Sequence, residues 1–523
     1  MIEFAEDFNN YLRKYENVEI PDLNEFNKEL LVWQEKLKEI YPCDKEEKEK
    51  FCEYMITHRK NFHEILQISI LSILAYLFNG GGYAGDIIDL SRKSPYMMVE
   101  NKYFIYLQMN SYSFRYNNFL TKDDKWQSRM LYREIYQECK AKLGIEKNIV
   151  PIKERNPKKV VFLIGQFLNE NHGPTKTILD RCEIMSEKMN CQSIIINTNE
   201  LRGINGYIPY CWFFWGNMRS DGANYDAIQY HEKNYPYYEC SGTMLNLPEI
   251  EAVVNLVRTI NPYCIFMVGD SSICADLCSN YYPLIDVATV PSGIMTTEGQ
   301  FLLKGKPITL QDKEYIYQLG KNDDYLQYCL FTSSIMPQKT QKSRQQLNIP
   351  EKAFTALVVG ARLDYEVNGI FIQEIMLPLI EKGVFFVFMG AFENYVNIVE
   401  EYPLLKVNSV FLGFVRDVLA VNELCDVYIN PKRNGGGTSV IEAMVKGLPP
   451  VALNEGDVSL GAGTDFCLDN YQEMVQRTLA LKEDAAYYQN MSRKAQERAK
   501  VMLDGTTAFW KAFQKIRELP DFQ

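Results

Sequence analysis

The stretch CDVYINPKRNGGGTSVIEAMVKGLPPVALN, Cys425 to Asn454, constrains the fold of this chain more than any other. CDVYIN is short, β-branched and aromatic, and Pro431 closes it, which is the pattern of a buried strand. Then come Gly435, Gly436 and Gly437, the residue type that loses most backbone entropy on folding. The spacing predicts a helix opening near Thr438 or Ser439. Ser439 and Glu442 stand at the S-x-x-E interval of a capping box, Val440, Ile441 and Met444 form an apolar face, and Gly447 with Pro449 is a stop signal. PVALN then starts a second strand. Strand, glycine loop, helix and strand make an α/β unit, and glycines beside a helix N-terminus let a negatively charged ligand approach the backbone. A tight turn with a cap is the plain alternative for Asn434 to Thr438, but it does not need three glycines.

With 523 residues, 46% of them hydrophobic, the chain can build several domains with large cores. A net charge of −11 and the lack of a Lys/Arg-dense block argue against a nucleic-acid binder, which needs a basic face, though not against a local basic pocket. The N-terminal MIEFAEDFNNYLRKYE is acidic with no apolar signal core, and the 13 cysteines lack C-x-x-C spacing, which together suit buried thiols in a reducing cytosol. The apolar run Ile65 to Phe78 falls short of the about 20 residues that span a bilayer, so it reads as a core helix, with a membrane-surface role the minority reading.

Residues 1 to 156 carry helical periodicity, as in EFNKELLVWQEKLKEIY and SRMLYREIYQECKAKLG. From Lys158 the character changes: KKVVFLIGQFL, SIIINTNE and CIFMVGD read as buried strands with helices between. A second series runs from TALVVGARLD through VFFVFMG, VNSVFLGFV and CDVYIN to PPVALN, after a polar connection, SSIMPQKTQKSRQQLNIPEKA. The expected fold is α/β: an all-helical domain (1–156), then two Rossmann-like parallel-sheet domains (157–335 and 336–523) facing across a cleft, the last helix able to cross back. Ligands in such sheets sit at strand C-terminal ends, which gathers Gln166 to Thr177, Gly269 to Ser272, Gly360 to Gly369, Gly413 to Asp417 and Pro431 to Ser439 around one cleft.

These residues resemble the second domain of the GT-B glycosyltransferases, particularly family 4, which uses nucleotide sugars. The resemblance rests on VVGARLDYEVNG, FLGFVRD and NPKRNGGGTSVIEAMVKGLPPV in that order, and is looser in the first sheet domain at INPYCIFMVGD and PLIDVATVPSG. It implies a donor site built from Gly360, Arg362, Gly413, Phe414, Lys432, Arg433, Asn434, Gly435, Gly436, Gly437, Thr438, Ser439 and Glu442. Within it Arg362 and a nearby cation would grip the diphosphate with the Gly435 to Thr438 amides, and Glu442 would bind the ribose hydroxyls. That matches what phosphates and paired hydroxyls need. The chain departs from the family in three places. Val367 or Asn368 replaces the lysine after the G-R-L strand, so Lys432 or Arg433 is the candidate second cation. Asn434 replaces the first carboxylate of the E-x7-E pair, which leaves sugar identity and stereochemistry open. Gly269 and Asp270 stand where the family often has a histidine.

Candidate catalytic residues are therefore Arg362, Lys432, His172 and Asp270, and His172, Gly173, Pro174 and Thr175 are candidate acceptor contacts. For His172, one of 4 histidines, an exposed loop position is the equal alternative, and for Asp270 a helix N-cap. His58 and His63 read as structural. GARLDYEVNG is not the dinucleotide fingerprint and GGGTS lacks the P-loop lysine, which disfavours an NAD enzyme or an NTPase. No D-x-D pair follows a strand in either sheet domain, so neither a metal nor a cofactor beyond the donor substrate is indicated. The expected activity is transfer from a UDP-type sugar to a macromolecular acceptor. A protein is first choice, because some cytosolic bacterial protein glycosyltransferases look similar in carrying a helical N-terminal domain; a polysaccharide or lipid-linked glycan is the alternative, and an inactive partner subunit the rival class. The helical segment reads as a separable acceptor platform, so its removal is expected to leave a folded two-domain core.

Overall fold

The computed structural model describes the chain apart from residues 17–28, 31, 34, 38, 40–43, 79, 81, 96, 116–118, 169–171, 203–225, 241–245 and 290–292. Most of the helix expected over 25–41, the loop tip 169–171 and part of the PLIDVATVPSG segment lie outside the described residues.

Helices dominate the first 142 residues, including Glu64–Leu77, Val99–Arg115 and Lys122–Lys142. Glu64–Leu77 carries the apolar run, and Ile65, Leu66, Ile68, Ile70, Leu71, Ile73, Leu74 and Leu77 are all buried. Ser69 and Ser72 are tolerated there because each hydroxyl donates to the carbonyl one turn back. Among the described residues no helix is long and apolar enough to cross a membrane. Lys122–Lys142 begins at a reciprocal capping box: Thr121 Oγ1 accepts from the Asp124 amide at 3.1 Å and Asp124 Oδ2 from the Thr121 amide at 2.9 Å. Its spacing turns Leu131, Tyr132, Ile135, Tyr136 and Cys139 inward.

The first sheet contains β1 (Lys159–Ile164), β2 (Gln192–Asn197), β3 (Ala227–Tyr230), β4 (Lys233–Glu239), β5 (Ile265–Val268), β6 (Leu284–Val287), β7 (Phe301–Lys304) and β8 (Leu326–Tyr328). They lie in the order β3-β4-β2-β1-β5-β6-β7-β8, parallel except for the β3–β4 hairpin, which turns at His231 with φ 50°. The second sheet contains β9 (Phe354–Gly360), β10 (Val384–Gly390), β11 (Ser409–Phe411), β12 (Val427–Ile429), β13 (Pro450–Leu453) and β14 (Cys467–Leu468). Its order is β11-β10-β9-β12-β13-β14, all pairs parallel. Arg344 braces the connection between the sheets: it pairs with Asp426 at 3.0 Å and donates to the Leu424 and Ala353 carbonyls.

Side chains alternate across a strand, so β1 serves two cores. Val160, Phe162 and Ile164 join Phe509, Phe513 and Ile516 of the helix Gly505–Arg517 near the C-terminus. Val161 and Leu163 belong to the cluster that also contains the N-terminal helices. One hydrophobic core thus runs from Ala5 to Leu284, with no break where the helical segment gives way to the sheet. Buried polar contacts reinforce the join: Tyr132 donates to Asp276 at 2.6 Å, and Tyr103 to Glu200 at 3.0 Å. The helical segment, expected from sequence to be a separable platform, shares its hydrophobic cluster with the first sheet. Helical periodicity marks a change of element type, but not whether two kinds of element share a core.

Candidate active site

The glycine loop is built around an inward-turned arginine. Beyond β12 the chain reverses at Pro431, and the Arg433 side chain, only 6% exposed, runs beneath the loop. It pairs with Glu366 at 2.7 Å and donates to Asn430 Oδ1 at 2.9 Å and the Tyr428 hydroxyl at 3.0 Å. Its donors are taken up inside the protein, so the reading of Arg433 as a phosphate cation gives way to one as the loop's scaffold. Lys432 points outward, 57% exposed, with Glu455 3.5 Å away.

Gly436 has φ 99°, and a Cβ there would lie 2.5 Å from Asn430 Oδ1 and 3.1 Å from Arg433 Nε and Nη2. This glycine is required both by its backbone and by the guanidinium beneath it. Gly436→Ala is expected to cost at least about 1–3 kcal/mol from the left-handed conformation alone, before any displacement of Arg433. Denaturant unfolding checks this, and a variant as stable as the wild type would show that the loop relaxes without strain.

Gly436 is also the N-cap of the helix Gly437–Val445, and having no side chain it makes no side-chain cap bond. The capping box expected from Ser439 and Glu442 is absent, because the left-handed Gly436 starts the helix early. Ser439 lies inside it, its hydroxyl donating to the Gly436 carbonyl at 3.2 Å and bonded to the Tyr428 hydroxyl at 3.0 Å. Glu442 is 9% exposed and meets the Lys176 ammonium at 2.8 Å.

Lys176 comes from the other sheet domain. It stands one turn into the helix Gly173–Met189, which follows β1, has Pro174 in its first turn and carries no side-chain cap at His172. Thr175 Oγ1 accepts from the Leu168 amide at 3.1 Å and lies 3.1 Å from His172 Nδ1. Burial, with Lys176 adjacent, pushes His172 down to about 4, so the ring is neutral near pH 7. A Cβ on Gly173 would be 3.1 Å from Thr438 Oγ1. Two uncapped helix N-termini, one from each sheet domain, therefore abut, and His172 to Thr175 lie beside the glycine loop.

Arg362 follows β9 and reaches the same place. Its Nη2 lies 3.7 Å from where a Gly435 Cβ would be, its Nε 3.5 Å from Glu366, and its guanidinium 5.3 Å from the Phe114 ring centre. Glu366 thus positions two guanidiniums. Asn434 donates to the Phe114 carbonyl at 3.3 Å, so the helix Val99–Arg115 walls the loop. Gly360 ends β9 and Gly413 follows β11, the strands on either side of β10, and their carbonyls accept from the amides of Ala391 and Gly390 at the end of β10. Phe414, 59% exposed, follows β11. Three strand spacings, ~14 Å, separate β11 from β12. Asp270 follows β5 and is exposed, and its carbonyl accepts from the Thr296 amide at 2.8 Å.

Residues 354–484 match the family model of the glycosyl transferases group 1. No curated protein matches the chain. Among solved structures, a glycosyltransferase from Rickettsia africae is similar at 10% identity and TM-score 0.50, over 69% of this chain and 98% of that one. A mutant of the Thermobaculum terrenum O-GlcNAc transferase is similar at 11% identity and TM-score 0.50, over 98% of this chain and 97% of that one.

The fold is GT-B.

In GT-B terms the glycine loop, Arg362 and Glu442 line the C-terminal half of the cleft, and the Gly173–Met189 helix lines the N-terminal half. Sequence reading missed Lys176, Glu366 and Phe114. Glu366 had a signal, its i+4 spacing from Arg362. Lys176 had only its place in the Gln166 to Thr177 segment, and Phe114 had none, since their partners lie 266 and 320 residues away.

Proposed function

We propose that this chain is a glycosyltransferase that binds a UDP-type sugar in the cleft and passes the sugar to a protein hydroxyl or amide. One observation carries the reading: two uncapped helix N-termini abut at Gly173 and Thr438, with Arg362 beside Gly435. Converging amide dipoles and a guanidinium form a site for a diphosphate. Glu442 faces the same place and offers two anionic acceptors to ribose hydroxyls. Catalysis is electrostatic: Arg362 and the helix N-termini stabilise charge on the departing diphosphate, while neutral His172 is left to hydrogen-bond rather than to supply charge.

A macromolecular acceptor fits the exposed Phe114, which brings the helical segment to the cleft wall where an acceptor would pass. The free cysteines suit a cytosolic location, and the reaction needs no metal in this scheme.

The test is incubation of the full chain with a panel of nucleotide sugars, together with mass spectrometry of co-expressed proteins. UDP release and hexose or N-acetylhexosamine increments on protein are the expected results. Release from no donor, with no nucleotide binding, refutes the enzyme and favours a partner subunit. Increments on polysaccharide or lipid-linked glycan alone would replace the protein acceptor.

A further inference from the structure

We propose that the Lys176–Glu442 ion pair is a latch between the two sheet domains that the donor opens, and that the released Lys176 ammonium becomes the second cation on the diphosphate. The inference rests on the nucleotide-sugar reading above and adds a coupling to it: filling the ribose position delivers the charge that holds the leaving group.

The pair joins opposite halves of the cleft. Lys176 Nζ and Glu442 Oε1 are 2.8 Å apart and their side chains are 8% and 9% exposed, so each neutralises the other away from water. Neither is an ordinary core residue, because a buried charge is stable only while paired. A helical side chain leans toward its helix N-terminus, so Lys176 hangs over the first turn of Gly173–Met189 and Glu442 over that of Gly437–Val445. Those are the two turns that abut at Gly173 and Thr438. The ion pair therefore stands in front of the paired amide termini, where a diphosphate and its ribose would bind.

Ribose hydroxyls that take Glu442 must displace the ammonium, and a lysine left unpaired there has the adjacent phosphates as its nearest charge partner. The exchange also adds to the cation set. Arg433 is committed beneath the loop and Lys432 faces outward beside Glu455, so of the three basic residues Arg362, Lys432 and Arg433 it is Arg362 that stands beside Gly435. Lys176 supplies a second charge from the opposite domain, so the domain contact changes partner with donor occupancy.

Calorimetry with uridine and UDP on wild type, Lys176→Met and Lys176→Arg separates the alternatives. Lys176→Met should lose about tenfold or more in UDP affinity, and uridine should bind as well or better, since its ribose no longer competes with an ammonium. Lys176→Arg, which keeps the charge, should hold UDP near the wild-type value and serves as the folded comparison if the methionine variant is unstable. Equal weakening of uridine and UDP in Lys176→Met would make Lys176 a structural prop, and unchanged UDP affinity would leave only a latch; either result overturns the proposal. Wild type binding neither ligand would instead refute the nucleotide reading itself.

Discussion

Glu442→Gln is expected to lower UDP affinity roughly a hundredfold, because two charge-assisted hydrogen bonds to ribose, each worth about 1.5–3 kcal/mol, are weakened together. The same change strands Lys176. With Glu442 neutral, the ammonium, 8% exposed, has lost its ion partner, and breaking one side of a buried pair typically costs about 3–5 kcal/mol. Glutamine keeps a hydrogen-bonding oxygen and the domains can part slightly, so the melting temperature should fall by less than that figure implies. Glu442→Gln combined with Lys176→Met removes the stranded charge and should recover most of the lost stability, while UDP binding stays weak. Uridine gives the complementary reading: Glu442→Gln should weaken uridine as well, whereas Lys176→Met should not. If UDP binds the Glu442→Gln variant within a few-fold of wild type, Glu442 does not hold ribose, and its only partner of consequence is the lysine across the cleft.

Removing residues 1–150 is expected to yield an aggregated or molten chain. The helix Ile273–Cys278 has all six residues buried, and the helix Lys122–Lys142 packs over it. Truncation bares that face, at about 1.5–3 kcal/mol for each large apolar side chain exposed. It also strips Tyr132 from Asp276 and Tyr103 from Glu200, leaving two buried carboxyls with fewer donors. The sum of a few such losses approaches the whole stability of a domain, about 5–15 kcal/mol. Soluble expression and a cooperative melt at the wild-type temperature would show instead that the helical segment is dispensable. Milder variants are therefore better suited to probing its part in recognition. Phe114 is one position for them, since it is 45% exposed and its loss leaves the core intact.

The order of elements was legible because it rests on local periodicity. Near-continuous apolar runs such as VFFVFMG marked central parallel strands, and β10 is buried along almost its whole length. The glycine loop was legible as the link from a buried strand to a helix N-terminus, because CDVYIN and the apolar face of Val440, Ile441 and Met444 flank it closely. Its internal plan was not. Lys432, Arg433 and Arg362 look alike as candidate cations, and which of them turns inward depends on Glu366, Tyr428 and Asn430 meeting under the loop. The capping-box spacing of Ser439 and Glu442 was equally persuasive in sequence. A positive φ at Gly436 moved the helix start and freed Glu442 for a partner in another domain.

By itself, then, the sequence determined a helical segment followed by two parallel-sheet halves, and a glycine loop poised at a helix N-terminus, because hydrophobic period and glycine placement act within a few residues. Tertiary structure alone decided which arginine supports the loop, which lysine confronts Glu442, and that the N-terminal helices complete the core of the first sheet domain rather than sit beside it. Those outcomes are contacts between groups up to 266 residues apart along the chain, and only the packing of both sheet domains brings such groups within hydrogen-bonding distance.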